Sequence, residues 1–291
     1  MGGPGAPLND CVGASHGGRG GGGGPEVYGS AAEPVDFGSG SGSAGGGAIR
    51  LVVTDTLTVN GAITADGADW HRGTGSGGSV YITAKHLTGA GRITASGGDN
   101  GCLWGCNGGG GGRIAVYYET SDFPEVNAVA GGGGGCGLGE EGTVGFYDVP
   151  LDELRIATSW RFQESDSPFN FSRVVLTGSR VTVEENVVLN AGSLAVEGAS
   201  VELRDNAVLT IPLISLTNST LTVTGKETVN APDGIPWSRK SLFEKTLLDS
   251  IAAGVSSARY RLELYVGEGN AIWVVIGVVV LLVLTRVKRN R

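Results

Sequence analysis

The chain has 291 residues and a formal net charge of −8, and 53 of its residues are glycine, where an average protein has about 7%. No glycine-every-third period appears, which excludes a collagen triple helix. Without its four basic C-terminal residues (Arg286, Lys288, Arg289, Arg291) the body carries 17 basic against 29 acidic side chains, or −12. That charge excludes the positive footprint a nucleic-acid partner requires.

Residues 1–47 are glycine-rich and read as a loop region, the remains of a truncated repeat. The opening "MGGPGAPLND" lacks a basic stretch followed by an apolar core, so no secretory signal is expected in it. Residues 48–150 hold three loosely related units starting at Ile49, Val80 and Ile114, each a strand, a turn, a second strand and a glycine tract. Alternating apolar residues between glycine breaks predict short strands, with the glycine tracts as loops between them. The second tract, "GGDNGCLWGCNGGGGGRIAVYY" from Gly97 to Tyr118, reads as such an excursion, with Cys102 aligned beside Cys136 of the third unit.

Residues 151–173 form an irregular joint. Residues 174–230 then repeat with a period of 20: "VVLTGSRVTVEENVVLN" from 174, "LAVEGASVELRDNAVLT" from 194 and "ISLTNSTLTVTGKETVN" from 214. Leu176, Val196 and Leu216 coincide, while Gly178, Gly198 and Asn218 share a corner suited to left-handed backbone. Such a unit cannot bury its inner face alone, whereas stacked copies can. The predicted fold is therefore all-β, a right-handed parallel β-helix with glycine-rich loops. Residues 236–258 follow as an amphipathic capping helix, with Leu242, Leu247, Ile251 and Val255 at helical spacing. Residues 271–287 follow as a transmembrane helix built on the 14 apolar residues Ala271 to Leu284, and residues 288–291 as a basic tail. The positive-inside rule places that tail in the cytoplasm and the body outside, a single-pass membrane protein.

The G-G-x-I/V runs with N-G and G-A-G turns, "GGGGGRIAVYY" above all, resemble glycine-rich, parallel β-helix-like microbial cell-surface proteins of the adhesin type. That resemblance implies a β-helical stalk and fixes no functional residue.

Candidate sites are few. The four cysteines, Cys11, Cys102, Cys106 and Cys136, are disulfide candidates, with a local Cys102–Cys106 bridge placed first among the possible pairings. No second Cys or His pair at ligand spacing accompanies them, so no metal is expected. Trp70 and Trp104, with Tyr117 and Tyr118, are candidates for stacking on sugar rings. Asn170 ("NFS") and Asn218 ("NST") match the N-glycosylation pattern. The repeats align Glu185 with Asp205 and Glu184 with Arg204, and two carboxylates about 5–5.5 Å apart suit retaining glycoside hydrolysis. Solvated corner charges explain the same residues. The expected function is thus a non-catalytic, cofactor-free, membrane-anchored surface protein for adhesion or scaffolding, with extracellular glycans or surface proteins as partners. The rivals are a carbohydrate-active β-helix enzyme and a tail-anchored cytosolic scaffold.

Overall fold

A computed structural model describes residues 2–101, 105–223, 228–230, 262–266 and 272–276. Strands β1 (Ala48–Thr58), β2 (Ala62–Thr64), β3 (Ser79–Thr88), β4 (Arg92–Thr94), β5 (Arg113–Ser121), β6 (Ala128–Val129) and β7 (Thr143–Asp148) build the glycine-rich half. The second half carries β8 (Glu153–Ile156), β9 (Ser159–Phe162), β10 (Phe169–Thr177), β11 (Arg180–Val183), β12 (Val188–Glu197), β13 (Ser200–Leu203), β14 (Val208–Thr210), β15 (Leu213–Thr217), β16 (Thr220–Val223) and β17 (Thr228–Asn230). A separate pair, β18 (Leu262–Val266) with β19 (Ile272–Ile276), completes the described strands. The largest sheet has ten strands, nine of them in the order β1-β3-β5-β7-β8-β10-β12-β14-β17, with β15 also on β12. Sheets of four (β16-β13-β11-β9), three (β2-β4-β6) and two strands flank it.

The 20-residue period sets the register of the second half. Leu176 faces Val196, which faces Leu216, and Val181 faces Val201, all in parallel ladders. Gly178, Gly198 and Asn218 have φ of 59°, 60° and 49°, so each shared corner uses a residue that tolerates left-handed backbone.

The continuous right-handed parallel β-helix is nevertheless overturned: the sheets are mixed. β7 and β8 run antiparallel, with Phe146 opposite Arg155 and Asp148 opposite Glu153. The cause is local. After Asp148 the chain enters Val149-Pro150-Leu151-Asp152, where the Asp148 carboxylate accepts from Leu151 N at 3.2 Å and Asp152 takes φ +49°. Pro150 cannot donate to a ladder, so the chain reverses where the repeat reading continues it. The joint expected at 151–173 contains strands β8 and β9 and the start of β10, with β8 paired to β7 and β10 and β9 paired to β11.

The C-terminal expectation is corrected too. No helix among the described residues is long and apolar enough to cross a membrane, and Ile272–Ile276, inside the expected span 271–287, is a strand antiparallel to Leu262–Val266. Ile and Val favour extended backbone, and 14 apolar residues fall short of the ~20 a spanning helix needs. The membrane-anchored, single-pass localisation therefore lacks its structural basis. The capping helix at 236–258 and the tail at 288–291 lie outside the described residues.

The glycine tracts are the largest departure from expectation, because they are interior rather than loops. Gly13–Gly18, Gly73–Gly78 and Gly108–Gly112 are all buried. The central tract is bonded on several sides: Gly18 N donates to Gly111 O, Gly110 N to Ala14 O, Gly77 N to Gly110 O and Gly108 N to Gly137 O, at 2.8–3.0 Å. A Cβ on Gly108 would collide with Gly133 O, one on Gly110 with Gly18 O and one on Gly111 with Ala130 O. Only a residue without a side chain lets backbones approach so closely. The layer satisfies buried amides through neighbouring segments in place of a strand ladder. Two aliphatic cores flank it, one around Val80, Ile82, Ile114 and Phe146, the other around Leu154, Trp160, Leu176 and Val196. Each fully buried aliphatic side chain contributes about 1.5–3 kcal/mol.

Candidate functional site

The Gly97–Tyr118 stretch is tied to a distant part of the chain. Cys106 forms a disulfide with Cys11, 95 residues away, in place of the local Cys102–Cys106 bridge. Beside it Asn107 donates to Cys11 O from both its backbone N (3.0 Å) and its Nδ2 (2.7 Å). Once Gly13–Gly18 is drawn into the glycine layer, Cys11 arrives at the edge of the 105–112 tract, so the long-range pairing follows from backbone packing. Cys136 is also disulfide-bonded. Cys102 and Trp104 lie outside the described residues.

The same tract ends in a buried charge that sequence reasoning took only for the opening of a strand. Arg113 has no exposed surface. Its Nε donates to Tyr28 O at 2.9 Å, Nη2 to Gln163 Oε1 at 2.5 Å and Nη1 to Thr143 Oγ1 at 3.4 Å. Burial pulls its pKa down to about 10, opposed by the carboxylate of Asp166. His16 is buried beside it, its Nδ1–H donating to Gly77 O at 2.8 Å while Nε2 has no partner. Burial, and then the Arg113 charge, lower the His16 pKa to about 4. The imidazole is therefore neutral near pH 7, packed 4.6 Å from the Tyr28 ring. Five segments distant in sequence meet at this node, and it stitches the N-terminal segment to Gly77, to β5 and β7 and to the end of β9. An arginine opening the apolar run "RIAVYY" directly after five glycines was the one available sign.

The acidic corner is a chain of ion pairs. Glu184 binds Arg161 and, at 2.8 Å, Arg204, and Arg161 also reaches Glu140 at 2.7 Å. Arg204 continues to Glu202 at 3.4 Å. Glu184 thus joins β9 to the next two repeats and has both carboxylate oxygens committed. Glu185 and Asp205 are exposed on the adjoining turn. Among the described residues no group of three or more His, Cys, Asp or Glu is placed to hold a metal ion.

The aromatic candidates separate. Tyr117 stacks on Tyr147 at 4.2 Å and donates its hydroxyl to Ala32 O, and Tyr118 is buried against Phe146. Neither presents a face to a sugar. Trp70 is 51% exposed, 5.4 Å from His71. Of the two glycosylation candidates, Asn218 sits exposed on its left-handed corner. Asn170 lies within β10, where its Oδ1 accepts from Asn190 Nδ2 at 3.0 Å.

That last bond belongs to a row the sequence reading did not single out. Asn170, Asn190 and Thr210 stand in register on β10, β12 and β14. They border an open groove of about 420 Å³ with Phe171, Asp152 and Pro212. The 20-residue period already contained the row, since the three positions are 20 apart.

No protein-family model matches the chain, and no curated protein or solved structure matches it either.

Proposed function

We propose that this chain is a non-catalytic adhesion or scaffolding protein, a stiff body that presents an exposed polar sheet face to glycans or to protein surfaces. The observation that supports this most is the row Asn170, Asn190 and Thr210 along the open groove. Neighbouring parallel strands repeat about every 4.8 Å, so the row offers amide and hydroxyl groups at regular intervals to an extended polar polymer. Phe171 and Pro212 add apolar surface on which a sugar ring or an apolar side chain rests. The ion pairs at Glu184 favour a structural role for the corner carboxylates over a reactive one.

The test is retention of the protein on a panel of immobilised glycans and cell-surface protein extracts, with Asn190→Ala/Thr210→Ala as the comparison. Losing two hydrogen bonds of about 1 kcal/mol each weakens binding by roughly tenfold or more, with the thermal midpoint nearly unchanged. Equal retention by the double variant, or no retention on any surface, rejects the reading.

A further inference from the structure

Among the described residues nothing covers the end of the large sheet at β1, and the inward column of side chains measures how far. Ile49, Leu51 and Leu57 of β1 are only partly buried, while the residues they face in β3, namely Val80, Ile82 and Leu87, are 0–1% exposed. Ile63 of β2 repeats the pattern against Ile93. Both β1 and β2 are outermost in their sheets, so among the described residues one edge of each has no strand beside it. An edge of 11 residues is normally shortened, covered, or guarded by charges and proline. β1 has no proline and no lysine, and its charged residues are Arg50 and Asp55. Val52 between them is 63% exposed.

We propose that this end is a self-association surface, on which β1 of a second copy of the chain pairs antiparallel with β1 about a two-fold axis near Val52. The chain's own preceding residues are not available as the cover, because Ala14 donates to Thr74 O and Gly18 to Gly111 O, which holds that segment in the glycine layer. A cover must also supply a strand for β2 and apolar side chains for Ile49, Leu51, Leu57 and Ile63, and the same end of another copy carries that set. The charges agree with this geometry. Arg50 and Asp55 are exposed, opposite in sign and on either side of Val52, so antiparallel pairing about a two-fold axis there sets each Arg50 opposite the other copy's Thr54, one position along from that copy's Asp55. Self-complementary patches of this kind are what an isologous dimer requires.

Sedimentation velocity of the whole chain over a range of micromolar concentrations tests the proposal. A dimer is expected, with Val52→Lys raising its dissociation constant by about tenfold or more through like charges meeting at the axis. Arg50→Glu alone weakens the dimer, and Arg50→Glu/Asp55→Arg returns it to within about threefold of the parent. Circular dichroism establishes that each variant keeps its strands. A monomer at every concentration, a dimer indifferent to Val52→Lys, or a charge exchange that restores nothing would overturn the proposal; the first of these needs no variant.

Discussion

Arg113 and His16 show how much a single side chain carries when it is enclosed. The Arg113 guanidinium holds Tyr28 O, Thr143 and Gln163 together without exposed surface, so removing it strands three acceptors in the interior. Arg113→Ala is expected to cost about 3–5 kcal/mol in urea unfolding, and Arg113→Lys to recover little of that, since an ammonium cannot reproduce the planar fork. His16 makes stability depend on acid. Its folded pKa of about 4 lies below the ordinary 6.5, so between those values the unfolded chain takes up a proton that the folded chain refuses. The stability it contributes is complete above about pH 6.5 and drains away as pH falls towards 4, by on the order of 3 kcal/mol. Unfolding measured at pH 7.5 and at pH 4.5 should show the decline, and His16→Gln should flatten it. A decline of unchanged size in that variant would assign the effect to other groups.

Among the elements, the sequence disclosed what side-chain periodicity governs and hid what the backbone governs. Leu176, Val196 and Leu216 face one another because their shared spacing admits only one register with apolar residues inward. The reversal between β7 and β8 was hidden because it hangs on the Asp148–Leu151 bond and one left-handed residue at Asp152. Neither leaves a hydrophobic signature. Burial of the glycine tracts was hidden for a related reason: hydropathy patterns describe side chains, and Gly108–Gly112 have none. Packing of that layer predicts a sharp contrast. Gly111→Ala drives a methyl into Ala130 O and should abolish cooperative unfolding or lower the thermal midpoint by many degrees. Gly61→Ala meets nothing within 4 Å and should be neutral or gain about 0.4–1 kcal/mol through the unfolded chain. Equal effects at the two positions would mean that the layer is not closely packed. The Asn170–Asn190–Thr210 row was legible in the same period that set the register, but in a single sequence nothing distinguishes a polar row that binds from one that is merely wet.

For the molecule as a whole, the Cys11–Cys106 bond closes a loop of 95 residues around the glycine-rich half. By loss of chain entropy in the unfolded state, a bond of that span stabilises by about 4–5 kcal/mol. Cys11→Ser/Cys106→Ser should lose most of it, and limited proteolysis should then cut first near Arg19, on the segment the bond retains. An unaltered urea midpoint would show that backbone bonds alone secure the N-terminal segment. The pairing also requires an oxidising milieu to form and persist.

The glycine interior has a calorimetric consequence. Unfolding heat capacity rises with the hydrocarbon wetted and falls with the peptide groups wetted, and this half, when it opens, wets an unusually large share of peptide groups beside the hydrocarbon of its aliphatic core. Its increment should fall below the usual ~12–15 cal/mol/K per residue. The curve of free energy against temperature would then be shallow, and the fold would tolerate cold that loosens proteins held together mainly by oily side chains.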